Sequence, residues 1–362
     1  MERIRALPFE GQALFNVEGK HYCQFHLRPK PDLVDFYRMI GELPHSNFSG
    51  VVFPGTDVNL RLTKGTEILL RNCTFEDDTR LLLPEKRIDA SNAKALGTLT
   101  LHSQQTPQVI LDNATIEGRL HLGNGSSTMS CRDWSFIRAQ LLGGVDFSGI
   151  EFIDSLNLDR AVLSGPVIFS GTKFPQKTTA YGIVAKGKAL SASCEASYRE
   201  ARNAFHAHRN RELEGKFFAF EKRCHRRGLP RQLRYLLPKC LSWLYDVTSE
   251  YGQSYGRALS ALVASKVVFA FFYSFFSGGS KERFGLPGEI DADSIAFTFW
   301  QTVKPFETWS GKFQPMLGSY ETIVADSIHT GYWMFWTTLD SIASLSLVAL
   351  TVLALRWRFR RE

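Results

Sequence analysis

Residues 145–176 read VDFSGIEFIDSLNLDRAVLSGPVIFSGTKFPQ, a run of five-residue units separated by single insertions. Each unit has a large apolar residue at its centre. These centres recur 11 residues apart, in one series of Phe136, Phe147, Leu158 and Phe169 and a second of Phe152, Leu163 and Phe174. A fixed period is typical of solenoids, and four such faces with their insertions make about 22 residues per coil. The pattern predicts a right-handed β-helix of square section.

The same units continue more loosely toward the N-terminus, in NFSGVVF, NCTFEDD and LDNATIEGRLHL. We therefore expect a β-helix of pentapeptide-like repeats over residues 48–180, preceded by an N-terminal cap of residues 1–47. Six or so coils at roughly 4.8 Å each give a rod of about 28 Å. Phe147 would stack over Phe169, and Phe152 over Phe174. A β-sandwich of short strands is the alternative, and the 11-residue recurrence argues against it.

Residues 181–256 read as a basic amphipathic helical linker. Apolar residues keep a helical spacing of three to four from Tyr198 to Cys224. Between Tyr198 and Lys239 there are 12 Lys/Arg against 4 Asp/Glu. Because this basic block adjoins an apolar run, it predicts contact with lipid headgroups rather than nucleic acid. The expected headgroup or anion contacts are Arg226, Arg227, Arg231, Arg234, Arg356 and Arg358.

Residues 257–362 contain two apolar runs of membrane length, 258–277 and 332–355. A bilayer-spanning helix needs about 20 mostly apolar residues, so both qualify. Aromatic residues and arginines flank the second run, and basic residues precede the first. By the positive-inside rule this predicts a hairpin in a bacterial inner membrane with both termini cytoplasmic. Two buried helices of a globular protein are the alternative. MERIRALPFEGQALF does not resemble a signal peptide.

Lys266 lies near the middle of the first run. A central lysine costs about 2.5–3.5 kcal/mol on insertion scales, so it is expected to face protein or water, or to snorkel toward the headgroups. On a helix it shares a face with Val263, Ala270 and Tyr273. Val268, Phe271 and Phe275 point the opposite way.

The second run carries one polar stripe, formed by Thr337, Ser341, Ser344, Val348 and Thr351, with Asp340 beside it. The stripe predicts either a packing face or a pore lining, because small and hydroxylated residues also join membrane helices. The predicted pore-lining set is Lys266, Tyr273, Thr337, Asp340, Ser341, Ser344, Val348 and Thr351. Counting from the two cytoplasmic ends separates Lys266 and Asp340 by about 10 Å in depth, so no direct ion pair is expected.

A pore-helix-like loop, residues 293–309, lies between the two runs. Asp293 can cap a short helix, SIAFTFWQTVK, which Pro305 must end. The following residues are the candidate filter: Pro305, Phe306, Glu307, Thr308 and Trp309. Glu307 would form a ring of carboxylates in an oligomer and would prefer cations. The alternative is an extracellular helix that lies on the surface of the same membrane.

Three further stretches, taken in their order along the chain with the five-residue units, resemble a bacterial family. They are SYREARNAFHAHRNRELEGKFFAFE, YDVTSEYGQSYGRAL and ALRWRFR. The chain is similar to pentapeptide-repeat membrane proteins that carry a C-terminal two-helix domain resembling an ion channel. That resemblance implies a homo-oligomeric pore with a cytoplasmic β-helix assembly. The repeats here are irregular and TVGYG is absent, so potassium selectivity is not implied.

Two functions follow as hypotheses. The first is an oligomeric pore gated by a protein or ligand acting on the β-helix, which by analogy suits a stress or phage-defence effector. The second is a membrane-anchored scaffold that recruits a protein, lipid or nucleic-acid partner. An enzyme, a cofactor and a metal are not expected. In HYCQFH, strand alternation puts His21 and Cys23 on one face and His26 on the other.

Overall fold

A computed structural model describes residues 15–17, 20–22, 46–53, 55–62, 66–104, 106–123, 129–277, 292–303 and 327–359. These residues belong to two compact units that meet in the sequence between Leu229 and Pro230. An antiparallel hairpin comes first, formed by β1 (Phe15–Val17) and β2 (Lys20–Tyr22). Most of the predicted N-terminal cap, including Cys23 and His26, lies outside the described residues.

The first unit contains a β-solenoid of about six turns, built from three parallel sheets. One sheet holds β4 (Thr56–Asn59), β7 (Thr79–Leu82), β10 (Leu99–His102), β13 (Leu120–Leu122), β16 (Val145–Asp146) and β19 (Val167–Ile168). The second holds β5 (Glu67–Leu69), β8 (Arg87–Asp89), β11 (Gln108–Ile110), β14 (Met129–Ser135), β17 (Ile150–Asn157) and β20 (Lys177–Thr179). The third holds β3 (Val52–Phe53), β6 (Thr74–Phe75), β9 (Lys94–Ala95), β12 (Thr115–Ile116), β15 (Gln140–Leu141), β18 (Val162–Leu163) and β21 (Val184–Ala185).

The sequence predicts four sides per coil, but strands pair on all four sides only near the C-terminal end of the solenoid. There β14 and β17 are long enough to cover two sides each, and their pairing shifts register between Cys131 and Asp133. Within the described residues, the earlier coils carry paired strands on three sides. A single 3-10 turn, Leu60–Leu62, follows β4 in the first of them. The difference follows the sequence, because the units before Met129 depart from the five-residue pattern.

The predicted solenoid core is confirmed. Every member of the 11-residue series Phe136, Phe147, Leu158 and Phe169 is at most 1% exposed. The rings of Phe147 and Phe169 lie in successive coils with centroids 5.8 Å apart, as the period predicts. Phe152 and Phe174 are also buried, and each lies edge-on to the other phenylalanine of its own coil. Aromatic contacts within and between coils therefore contribute to the buried apolar core of the solenoid.

Helices α1 (Glu195–Ala207) and α2 (Arg211–Gly228) cover the last coil of the solenoid. Phe169 contacts Tyr198 and Phe217 at centroid distances of 6.3 and 6.0 Å. Unpaired N–H groups of the last coil also find acceptors in this segment. Val167 N donates to Cys194 Sγ at 3.4 Å, and Gly171 N donates to Glu200 Oε2 at 3.2 Å.

The prediction of a linker over residues 181–256 is therefore too coarse. Strand β21 extends the solenoid to Ala185, and residues 195–228 form part of the solenoid unit. The physical reason is that the apolar stripe of α1 and α2 matches the apolar top of the last coil, which would otherwise face water.

In the described part of the second unit there are four α-helices: α3 (Leu236–Ser249), α4 (Tyr255–Ser277), α5 (Ala292–Val303) and α6 (Ser327–Phe359). At 1.5 Å per residue, α4 is about 34 Å long and α6 about 50 Å. The stretches Tyr255–Tyr273 and Phe335–Arg356 are long and apolar enough to cross a membrane. Helices α4, α5 and α6 pack against one another in all three pairs, so α5 lies against both of the longer helices, which also pack directly on each other. Helix α5 begins at Ala292, so Asp293 lies in its first turn instead of capping it.

Candidate functional site

The ammonium group of Lys266 is buried between the three packed helices of the second unit. The residue is 2% exposed, yet its Nζ has three hydrogen-bond acceptors. Nζ donates to Asp340 Oδ1 at 2.8 Å, to the Thr298 carbonyl oxygen at 2.8 Å, and to Ser344 Oγ. A lysine ammonium has three protons, so its donors are fully used. One side chain of α4 is thereby tied to both α5 and α6.

Both oxygens of the Asp340 carboxylate also have polar neighbours. Asp340 is fully buried on α6, and its Oδ1 accepts from Lys266. Its Oδ2 lies 3.4 Å from the Tyr273 hydroxyl. Ser344, one turn further along α6, donates to the Asp340 carbonyl oxygen at 2.6 Å, so its oxygen remains free to accept from Lys266. A buried charge pair with its remaining hydrogen bonds satisfied is the arrangement in which Coulomb attraction offsets desolvation.

Helix α5 contributes a second contact to the same cluster. The Ser341 hydroxyl donates to Gln301 Oε1 at 3.1 Å. Both Thr298 and Gln301 are buried, whereas Ile295, Phe299 and Val303 on the same short helix are exposed. Helix α5 thus turns its polar side toward the ion pair and its apolar side outward. We call Lys266, Tyr273, Thr298, Gln301, Asp340, Ser341 and Ser344 the buried polar cluster.

The expectation that Lys266 and Asp340 do not meet is wrong. That estimate counted the rise from the ends near Tyr255 and Arg356. Counted instead from Tyr273 and Phe335, the opposite ends of the apolar stretches, the two residues lie about 10 Å and about 8 Å along their helices. The two stretches differ in length, so only the ends at Tyr273 and Phe335 are in register. The long lysine side chain spans the remaining difference in depth of about 3 Å.

The predicted pore-lining residues are brought together by the structure, but in the packing of a single chain. Thr337, Asp340, Ser341 and Ser344 are all 0% exposed. Lys266 and Tyr273 are buried with them, while Val348 and Thr351 are half-buried further along the stripe. Thr337, Ser341 and Ser344 of the stripe therefore lie on a buried helix face, and the role of the stripe as a lumen lining stays a prediction.

The faces of α4 differ slightly from the prediction. Ala270 and Tyr273 are buried with Lys266, and Val268 and Phe271 are exposed, as expected. Val263 is also exposed, so the buried face does not extend to it. The side chain of Phe275 and the candidate filter residues Pro305, Phe306, Glu307, Thr308 and Trp309 lie outside the described residues.

The six arginines that are predicted to contact lipid headgroups are divided between the two units. Arg226 and Arg227 belong to α2 in the solenoid unit, and Arg227 Nη1 donates to the Gly187 carbonyl oxygen at 2.7 Å. Arg231, Arg234 and Arg356 are exposed in the second unit. The side chain of Arg358 is outside the described part of the chain. Contact with lipid stays a prediction for all six.

Two members of the buried polar cluster were missed by the sequence prediction. Thr298 and Gln301 are spaced by three residues in an otherwise apolar helix, SIAFTFWQTVK. That spacing places them on one face, so the signal was present. Among the described residues, no group of three or more His, Cys, Asp or Glu side chains is placed to hold a metal ion.

Comparison with protein-family models, with curated proteins and with solved structures gives no match for this chain.

Proposed function

We propose that this chain is one subunit of a homo-oligomeric, cation-preferring pore in the bacterial inner membrane. In this proposal α4 and α6 cross the bilayer, and α5 is a short re-entrant helix between them. The observation that carries the proposal is the hydrogen bond from Lys266 Nζ to the Thr298 carbonyl oxygen at 2.8 Å.

That hydrogen bond indicates the depth of α5 relative to the two spans. Lys266 is near the middle of α4, and Thr298 is near the middle of α5. A helix lying on the membrane surface would contact the ends of the spans. Because α5 contacts Lys266 and Ser341 instead, the geometry favours a helix inserted between the spans. Irregular chain at membrane depth is tolerated where protein or a water-filled cavity surrounds it.

The outward side of α5 supports an oligomer. Ile295, Phe299 and Val303 are exposed there, next to Trp300. These side chains suit packing against lipid or against a neighbouring copy. In an oligomer, the half-buried Val348 and Thr351 remain open to a shared lumen, while the buried polar cluster fixes the position of α5. Residues 305–309 follow α5 directly and would form the filter, with Glu307 supplying the carboxylate ring.

The remaining parts of the proposal concern orientation and control. Basic residues flank the start of α4 and the end of α6, which favours cytoplasmic N- and C-termini. The solenoid would then be a cytoplasmic sensor that responds to a protein or ligand. A pore under such control would depolarise the cell when opened, as a stress or phage-defence effector would.

Planar-bilayer recordings test the proposal. The full chain is compared with a chain that begins at Pro230, the start of the second unit. A chain that began before α1 would keep α1 and α2 without the solenoid coil that they cover, and would expose their apolar side. Discrete current steps support a pore, and steps that appear only in the shorter chain make the solenoid its gate. Silence from folded, oligomeric samples of both chains would reject the pore and favour the membrane-anchored scaffold.

Reversal potentials in asymmetric salt test the filter. Glu307→Gln is expected to lower the preference for cations. Glu289→Gln removes a carboxylate from the stretch between α4 and α5, outside residues 305–309, and serves as the matched control. Equal selectivity in Glu307→Gln and the unmodified chain would remove Glu307 from the filter.

A further inference from the structure

Helix α3 has its apolar side turned outward. Seven large apolar residues of α3 and the turn before it are at least half exposed: Leu233, Leu236, Leu237, Leu241, Trp243, Leu244 and Val247. Their spacing of three and four residues places most of them on one side of the helix. Exposed apolar patches of this kind mark interaction sites.

The opposite, more polar side of α3 holds the helix to the residues that lead into α4. Ser242 Oγ lies 2.9 Å from the Tyr251 hydroxyl, and the Tyr245 and Tyr251 rings pack edge to face at 5.3 Å. Thr248 and Ser249 are buried. The apolar side is therefore left free because the polar side is already occupied.

The turn between α3 and α4 is short and sharply defined. Three consecutive residues, Glu250, Tyr251 and Gly252, have φ values of 50, 55 and 82°. Such left-handed conformations are costly outside glycine and persist only where the surroundings fix them. Here Gly252 N donates to Ser249 Oγ at 3.1 Å, and Arg257 pairs with Glu250 at 3.7 Å. The direction of α3 is thereby fixed relative to the start of α4.

We propose that the outward side of α3 lies in the interface of a bilayer that contains anionic lipid. This inference rests on the proposed function in one respect, namely that α4 crosses the bilayer. Helix α3 then meets the headgroup region because only five residues separate it from α4. A helix with leucines and a tryptophan on one side and basic flanks lies in the membrane plane.

The charges near α3 identify the partner. Arg231, Arg234 and Lys239 lie in or just before the helix, and the stretch from Pro230 to Tyr245 contains no Asp or Glu. A second copy placed against this side would bring the same cations together. Anionic headgroups would instead be attracted, by about 1 kcal/mol per basic residue near the surface.

A fluorescent label on Cys240 tests the proposal in the full chain. Among the described cysteines, Cys240 is exposed on α3, whereas Cys73, Cys131, Cys194 and Cys224 are buried. Burial raises the pKa of the Cys73 and Cys224 thiols to about 12 and also raises that of Cys131, so these thiols react slowly. With Cys23 replaced by Ser, an NBD group is attached at Cys240 in vesicles containing phosphatidylglycerol. A second sample carries the label on the exposed side of α4, through Val268→Cys in a Cys240→Ser background.

We expect spin-labelled lipid to quench the label at Cys240 and aqueous iodide to leave it unquenched. Quenching of Cys240 by iodide, with Val268→Cys quenched by lipid, would overturn the α3 inference and leave the span intact. Iodide quenching at both positions would overturn the membrane span itself. Disulfide cross-linking between Cys240 residues of two copies would overturn the lipid assignment in favour of a second copy.

The charge contribution is tested by substitution. Arg231→Gln with Arg234→Gln should weaken partition of α3 into the anionic interface by roughly 30-fold, since each arginine is worth about 1 kcal/mol there. The emission of NBD at Cys240 should then depend less steeply on the phosphatidylglycerol fraction, with Lys239 supplying the dependence that remains. Arg132→Gln with Arg138→Gln makes the same change in net charge on exposed solenoid positions and is the control. Unchanged dependence in the Arg231/Arg234 variant would overturn the assignment to anionic lipid.

Discussion

Lys266 and Asp340 are 74 residues apart in the sequence, and their Nζ and Oδ1 atoms lie 2.8 Å apart inside the second unit. Neither side chain is more than 2% exposed. The pair joins the two apolar helices, and the bond from Lys266 to Thr298 adds the third. The same two residues therefore fix the positions of three helices.

Removing one charge of this pair should cost more stability than removing both. Lys266→Met leaves a buried carboxylate without its partner, which costs roughly 3–5 kcal/mol. Asp340→Leu leaves a buried ammonium and should cost a similar amount. The double variant removes both uncompensated charges and should recover most of the loss. Thermal stability of the purified chain in detergent, followed by size-exclusion chromatography, measures all three; additive losses would mean that the two charges are not coupled.

Gly118 should be intolerant of a side chain because two coils of the solenoid approach closely there. A Cβ at Gly118 would lie 2.1 Å from the Gly97 carbonyl oxygen, and no side-chain rotation relieves a contact with backbone. We expect Gly118→Ala to destabilise the solenoid by roughly 3 kcal/mol.

Gly149→Ala is the matched control for this contact. Its Cβ meets nothing within 4 Å, and its φ of +69° costs about 1 kcal/mol for an L-residue. The stability of both variants is measured from the loss of the β-sheet circular dichroism signal on heating. Equal losses would show that coil contact at Gly118 contributes nothing beyond backbone strain.

The hydroxyl group of Tyr198 should be dispensable. Tyr198 is 0% exposed, and its oxygen has no hydrogen-bond partner among the described residues. Burial raises its pKa well above the usual value, so the phenol stays neutral. Tyr198→Phe keeps the ring contacts with Phe169 and Phe217 and removes an unsatisfied group, so we expect a gain of about 1 kcal/mol.

Tyr198→Leu supplies the comparison for that prediction. It removes the ring as well as the hydroxyl and should destabilise the packing of α1 and α2 on the last coil. Chemical denaturation of the full chain in detergent measures both variants, and a loss of stability in Tyr198→Phe would indicate a hydroxyl interaction that the packing does not reveal.

Acid should weaken the solenoid through Asp89. Burial alone would raise the pKa of this carboxyl, but hydrogen bonds from Ser91 and the ion pair with Arg71 hold its pKa below the usual value. Because the folded state binds the proton less tightly than the unfolded state, the contribution is present at neutral pH. It is lost as the pH falls below about 4.

Asp89→Asn tests the acid dependence directly. The amide keeps an oxygen for Ser91 and loses the charge, so the variant should be less stable by about 1 kcal/mol at pH 7. The difference between the variant and the unmodified chain should shrink between pH 4 and pH 2, measured by thermal unfolding. A constant difference across that range would exclude ionisation of Asp89 as its cause.

Periodic features were the ones that the sequence predicted well. The 11-residue recurrence identified Phe136, Phe147 and Phe169 as core, because in a solenoid each residue contacts its equivalent one coil away. The two apolar helices were equally visible, since length and composition define them locally. Both kinds of signal depend on short-range spacing alone.

Features that depend on packing between elements were predicted less well. The Lys266–Asp340 pair depends on which helix ends are in register, and spacing within either helix says nothing about that. For α1 and α2 the sequence predicts only a linker, because an apolar stripe does not reveal what it covers. Thr298 and Gln301 gave a local signal, but its meaning depended on the position of α5 between two other helices.

Helices α1 and α2 also determine how the solenoid ends. Strands β19, β20 and β21 are the last of three parallel sheets, and an uncovered last coil is a template on which another chain can add strands. Cys194 and Glu200 occupy N–H groups that an incoming strand would need. A chain cut before Gly187, after the last strand, would lose both Cys194 and Glu200 and would therefore have a growth-competent end. Its hazard would be end-to-end polymerisation into fibres rather than simple unfolding. The helical cap is what keeps the number of coils finite.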